Sequence, residues 1–169
     1  MLKQQAVLFR ASHHSGPLEV ELTRRNIPFV RFGGLKFLDA AHIKDMLALL
    51  RFVENPRDRV AGFRVMQLMP GVGPTSAQRV LDRMTEAADP IGAVAGAPSP
   101  PRAGTFWTAF VETVTDLNAG RAGWPAELER ARLWYEPHLE RIHEDSGTRH
   151  ADLIQLEQIA NGYPSRSVS

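Results

Sequence analysis

The chain is predicted to fold as a mainly α-helical body carrying a tight glycine hairpin, preceded by a small strand-helix-strand unit. Three observations predict it. Apolar residues recur at helical spacing through most of the chain beyond residue 39, as in Ile43, Met46, Leu47 and Leu50 at i, i+3, i+4, i+7. The run Pro70-Gly71-Val72-Gly73-Pro74 interrupts two such segments with residues that stop one helix and start another. Before residue 39, two short apolar runs flank a single helix, which is the pattern of parallel strands joined by a crossover.

In chain order, Gln5 to Phe9 reads as a buried strand, Ser12 to Gly16 as a polar turn, and Pro17 to about Arg25 as a helix with Leu18 and Leu22 on one face. Ile27 to Phe32 reads as a second strand, ended by Gly33-Gly34. Two strands do not make a stable sheet, so this unit is expected to be the edge of a larger one. Asp39, as N-cap, opens a helix to about Val53, and Asn55-Pro56 closes it. The next helix, Arg57 to Leu68, is expected to turn Val60 and Phe63 inward and Arg57 and Arg64 outward. Its partner runs from Pro74 to about Glu86, with Ala77, Val80 and Leu81 packing back on Leu68 and Met69.

The segment 89–104 is rich in Ala, Gly and Pro, and residues 96–104 are expected to form a linker, exposed at Ala97-Pro98-Ser99-Pro100-Pro101. Phe106, Phe110, Val114 and Leu117 mark a helix ending near Gly120. Pro125 starts another, in which Leu128, Ala131, Tyr135, His138, Leu139 and Ile142 face inward and Pro137 predicts a kink or break after Glu136. A last helix spans about Thr148 to Ala160 with Leu153, Leu156 and Ile159 inward, and the end, Tyr163 to Ser169, reads as truncated.

Composition narrows the chemistry. There is no cysteine among the 169 residues, which excludes disulfides and thiolate metal sites. No apolar run approaches membrane-spanning length, and the N-terminus has no signal-peptide pattern, so a cytoplasmic location is expected. The net charge of +1 conceals an asymmetry: residues 1–86 hold thirteen Lys and Arg against eight Asp and Glu, whereas residues 87–169 hold seven against eleven. A basic first half favours a polyanion near the hairpin.

That hairpin is the candidate site. Gly71 and Gly73 allow a tight turn, Val72 plugs it, and Pro74 suits the first turn of the second helix. Thr75 and Ser76 can help satisfy the amides there, and Arg79 lies one turn on. Free N–H groups and the positive end of a helix point outward together, which suits a phosphate. The arrangement is that of a helix-hairpin-helix, a sequence-independent binder of the DNA backbone. Other candidates are explained more simply. His13-His14 is a solvated pair, His138 and His143 are too far apart on a helix to share a metal, and Glu136, Glu140, Glu144 and Asp145 form a solvated face. Trp107, Trp124 and Trp134 have helical positions that suit core packing. An alternative is a helix-hairpin-helix base-excision glycosylase with Asp89 as its catalytic aspartate; another is a helical protein-interaction module.

Beyond single motifs, Ala6-Val7-Leu8-Phe9-Arg10, Leu18-Glu19, Ile27-Pro28-Phe29, Gly33-Gly34-Leu35-Lys36-Phe37, Ile43-Lys44-Asp45 through Leu50-Arg51, and Asn55-Pro56-Arg57-Asp58 fall in order. This succession resembles the UvrD-like superfamily I DNA helicases. The resemblance implies that residues 1–38 are the end of the second, α/β motor domain and that residues 39–169 are the inserted helical accessory subdomain called 2B. It implies DNA contact by the hairpin, with Gly71-Val72-Gly73 and, in support, Thr75, Ser76, Arg79 and Arg64. Arg10, Lys36 and Lys44 match motor-domain motif positions. ATP and Mg would be cofactors of the parent helicase, and DNA and the remaining motor domains its partners. Two departures stand out: Ser12 to Gly16 lacks the arginine that ends the family's polar run, and Ala40 and His42 replace an arginine and a glutamate, so contacts made by those residues do not carry over.

No phosphate loop of the Gly-x-x-x-x-Gly-Lys-Ser/Thr type occurs, nor an Asp-Glu metal motif, so the chain reads as an excised piece of a helicase that binds no cofactor itself. The purified 169 residues are therefore expected to show no DNA-stimulated ATP hydrolysis, and phosphate release that rises on adding DNA would overturn this.

Overall fold

The computed structural model describes residues 7–9, 12–29 and 37–164. Eight α-helices follow one another among them: α1 (Gly16–Arg24), α2 (Ala41–Glu54), α3 (Arg59–Met66), α4 (Pro74–Glu86), α5 (Pro90–Ala95), α6 (Gly104–Asn118), α7 (Ala126–Ile142) and α8 (Ser146–Ala160). From α2 to α8 each helix packs on the next in sequence, and α2 also touches α6, α7 and α8. It is the axle of the body. Ile43, Met46, Leu49, Leu50, Phe52 and Val53 of α2 are all buried, so this helix is covered on most of its circumference.

Among the described residues no strand forms. Residues 7–9 have no regular structure, and Val7, Leu8 and Phe9 are 60%, 95% and 42% exposed, not buried as expected. Residues 27–29 are likewise irregular, and the rest of both expected strands lies outside the described residues. The physical reason is the one that made an isolated pair doubtful: strand edges need partners, and no strand among the described residues supplies one. Leu18 and Leu22 of α1 are only half-buried, because α1 rests against α8 and the turn Phe37–Asp39 instead of a sheet. Its buried side chain is Glu19, which accepts hydrogen bonds from Ser15 Oγ (2.5 Å) and the Phe37 N–H (2.6 Å).

Several boundaries shift for local reasons. Ala40, not Asp39, is the N-cap of α2; Asp39 sits in a preceding 3-10 turn and pairs with Lys44 at 3.1 Å. Asp58 starts α3 two residues later than expected, its carboxylate accepting from the Val60 and Ala61 N–H groups. That start rotates the helix so that Val60 is 82% exposed and Ala61, Gly62, Val65 and Met66 face inward, with Phe63 half-buried. Gly62 is needed there, since a Cβ would lie 2.6 Å from Leu81 Cδ2 and 2.7 Å from Phe52 Cε2. Within the Ala-, Gly- and Pro-rich segment a short helix, α5, capped by Asp89, precedes the expected linker, which buries Pro100 and Ala103 and half-buries Ala97. Pro98, Ser99 and Pro101 are exposed as expected.

The α7 helix runs unbroken through Pro137. Pro137 and Leu133, whose carbonyl loses its helical donor, both lie on the exposed face, where water can replace the missing hydrogen bond. Ile142 is 41% exposed, whereas Leu128, Ala131, Tyr135, His138 and Leu139 are buried as expected. Trp107 and Trp134 are core residues, and half-buried Trp124 donates Nε1–H to the Tyr163 carbonyl at 2.9 Å.

Polar pairs fix the helices' register on α2. The Asp45 carboxylate accepts from Tyr135 Oη (2.8 Å) on α7 and Arg64 Nε (2.7 Å) on α3. His42, also buried, meets Asp152 Oδ2 (3.0 Å) and Arg149 Nη1 (3.1 Å) on α8. An arginine can only donate, so His42 Nδ1 is the acceptor and its Nε2–H donates to Asp152. Burial pushes this imidazole below its ordinary range, against the pull of Asp152.

His138 is the second buried histidine. It lies between Phe106 and Trp134, with ring centroids 5.2 and 4.6 Å away, and its Nδ1 has no partner. Burial, and then the nearby Arg141 charge, push its pKa down to about 4, against a hydrogen bond with the Leu68 backbone. The unfolded chain takes up this proton near pH 6.5 and the folded chain resists it. Stability carried by neutral His138 is therefore complete above about pH 6.5 and lost as pH falls towards 4. His138→Gln is expected to flatten the loss of stability across that interval, by up to about 1 kcal/mol per pH unit. Denaturant unfolding of both proteins at several pH values measures it, and parallel profiles would contradict the assignment.

Candidate functional site

Residues 67–73 join α3 to α4. The turn is held from beneath. Val72 is 5% exposed, and its N–H donates to the Met69 carbonyl at 3.3 Å. Leu68, Met69, Ala77, Val80 and Leu81 are buried around it, as the spacing predicts. Gly71 adopts φ +74°, the left-handed region that a side chain disfavours. It also lies under Arg102: a Cβ at Gly71 would fall 2.2 Å from Arg102 Cβ. Gly73 differs. It caps α4 with φ −83° and ψ 176°, and nothing lies within 4 Å of where its Cβ would be.

The first backbone bond of α4 is Ala77 N–H to the Gly73 carbonyl, at 3.0 Å. Pro74 has no N–H, so the Thr75 and Ser76 amides are the donors the helix leaves without an internal partner. No side-chain cap covers this end. Thr75 is exposed and Ser76 half-buried, and the expected satisfaction of these amides by their hydroxyls is not made. The positive end of a thirteen-residue helix thus faces outward.

A shallow concavity of about 580 Å³ opens beside the turn, lined by residues 69–73 with Gln67, Pro101, Arg102 and Arg141. No carboxylate is among these residues. Arg102 comes from the connection before α6 and Arg141 from the last turn of α7. An Arg141 Nη2–H donates to the Leu68 carbonyl, tying α7 to the start of the turn.

The residues expected from the sequence are distributed unevenly around this site. Gly71, Val72 and Gly73 form its wall, while Thr75, Ser76 and exposed Arg79 follow on α4. Arg64 does not line it; its guanidinium is held by Asp45 and by the Ala41 carbonyl at 3.3 Å. Lys44 is on the exposed side of α2, paired with Asp39, and Arg10 and Lys36 lie outside the described residues. Asp89 is the N-cap of α5, accepting from the Gly92 N–H at 3.0 Å. Arg102 and Arg141 were not legible in the sequence, being about 30 and 70 residues from the glycines. The only local signal was a basic residue in the last turn of a helix, which suits Arg141 anywhere.

The family model of the UvrD-like helicase C-terminal domain matches residues 1–91, so the chain belongs to that family. The ATP-dependent DNA helicase PcrA of Staphylococcus epidermidis is 35% identical over 78 residues, which is 46% of this chain and 11% of that protein. PcrA of Staphylococcus aureus is 35% identical over 79 residues, with the same coverage of 46% and 11%. The chain thus spans about a tenth of the length of these relatives. No helix among the described residues is long and apolar enough to cross a membrane.

The two glycines have separable roles. Gly71→Ala is expected to destabilise the chain by about 1–3 kcal/mol, from positive φ and the clash with Arg102. Gly73→Ala is expected to stay within about 0.5 kcal/mol of the parent, its backbone being ordinary and its surroundings open. Thermal unfolding of the two variants checks this, and equal losses would refute it.

Proposed function

We propose that this chain is a DNA-binding accessory region of an ATP-dependent DNA helicase, corresponding to part of the second motor domain and the inserted helical subdomain. Its Gly-Val-Gly turn grips duplex phosphates in the manner of a helix-hairpin-helix, as unwinding in replication or repair requires. The observation that carries the reading is the uncapped start of α4 directly following a carboxylate-free concavity walled by Gly71, Val72 and Gly73. Backbone N–H groups and a helix dipole suit a phosphodiester and read no base. Thr75, Ser76 and Arg79 lie where a strand leaving the turn would run along α4.

The family membership and the helicase activity named for the Staphylococcus proteins support the helicase context. ATP and Mg would then be held by motor elements outside these residues, and those motor domains would be the chain's protein partners in the cytoplasm. The glycosylase alternative loses its candidate aspartate to a structural role, since Asp89 is committed to capping α5.

Binding to a duplex of arbitrary sequence, followed by fluorescence anisotropy, is expected to weaken at least roughly tenfold between about 50 and 200 mM salt. Gly73→Val is expected to reduce affinity several-fold while the thermal midpoint hardly moves, since the position is open. Affinity indifferent to salt and to Gly73→Val would sink the proposal.

A further inference from the structure

The charge at this site comes from residues far from the turn. Several described arginines face a carboxylate, as Arg59 meets Asp82 at 2.7 Å, Arg64 meets Asp45, Arg132 meets Glu157 at 2.6 Å and Arg149 meets Asp145 at 2.6 Å, whereas Arg51, Arg57, Arg79 and Arg83 do not and are spread over other surfaces than the concavity. Arg102 and Arg141 have no such partner within 4.0 Å among the described residues, although both line one concavity, where like charges repel. Arg141 is also held in place. Its bond to the Leu68 carbonyl uses one of the guanidinium's five donors, and the rest stay available. The Arg102 backbone sits against Gly71, so its side chain starts from the rim of the turn. One guanidinium held in place and a second carried on the rim of the turn, neither with a counter-charge, lack one component: an anion.

The geometry points to a phosphate clamp in which Arg102 and Arg141, both lining the concavity beside the Gly-Val-Gly turn, hold backbone phosphates of one nucleic-acid strand. This rests on the DNA reading above and deepens it by assigning the electrostatic part of the grip. Both arginines lie beyond residues 1–91, the span that matches the family, so the turn and its charges come from different parts of the chain. Arg64 and Arg79 are then secondary: the first is committed to Asp45, and the second is outside the concavity.

The test uses the 169-residue chain and the salt dependence of duplex binding. Each arginine that neutralises a phosphate contributes about 0.9 to the slope of log affinity against log salt. Arg102→Gln and Arg141→Gln are each expected to lower that slope by about one, and the double variant by about two. Arg121→Gln, which removes a charge paired with Asp116 at 2.7 Å elsewhere on the surface, is the control and is expected to leave it unchanged. Arg141→Lys keeps the charge and is expected to retain most of the slope, and thermal midpoints report folding of every variant. An unchanged slope in Arg102→Gln and Arg141→Gln, with Gly73→Val still weakening binding, overturns the clamp and leaves the DNA reading standing. An equal drop in Arg121→Gln also overturns it. Absence of duplex binding by the parent chain at low salt overturns both.

Discussion

One buried carboxylate sets the geometry on which everything else depends. Asp45 lies in the middle of the body, on a helix otherwise lined by Ile43, Met46 and Leu49, and is held by a phenol from α7 and a guanidinium from α3. A carboxylate in such surroundings is tolerable only when hydrogen-bonded, and leaving it without a partner would cost about 1–3 kcal/mol or more. The requirement is directional, unlike apolar contact. It fixes the rotation of α3 and α7 about α2, and both helices lead to the glycine turn.

From that constraint the site assembles by short steps. With α3 oriented, Gly62 allows it to approach Phe52 and Leu81 closely, and Leu68 leaves the helix at a set place. With α7 oriented, Tyr135 faces Asp45 while His138 and Arg141, one and nearly two turns further on, face the Leu68 carbonyl. The same helix thus braces both the axle and the turn. The connection into α6, anchored by buried Pro100 and Ala103, then lays Arg102 across Gly71. A positive φ at Gly71 is what allows the turn to pass beneath it.

Similarity to the helicase family covers residues 1–91, yet the core does not divide there. Phe110, Val114, Leu117, Tyr135 and Leu153 belong to the same cluster as Ile43 and Met66. His42, one of the two departures from the family pattern, is accommodated by Arg149 and Asp152 of α8 in the second half. A family pattern in the first half is therefore completed by contacts from the second, and the two are physically one unit.

The sequence by itself determined the described helices other than α5, the family and the two glycines. Helical periodicity and Pro-Gly punctuation are local properties, so α4 from Pro74 to Glu86 and the burial of Val72 followed from a few neighbouring residues. It misjudged what depends on surroundings: the exposed segment at Val7 to Phe9, the outward Val60, and the unbroken α7 at Pro137. Only the tertiary structure decided which charges meet the turn. Arg64, close in sequence, is drawn away by Asp45, whereas Arg102 and Arg141 arrive from segments whose positions are set by long-range packing. Charge convergence in a fold is a property of distance in space, and no local pattern in the chain encodes it.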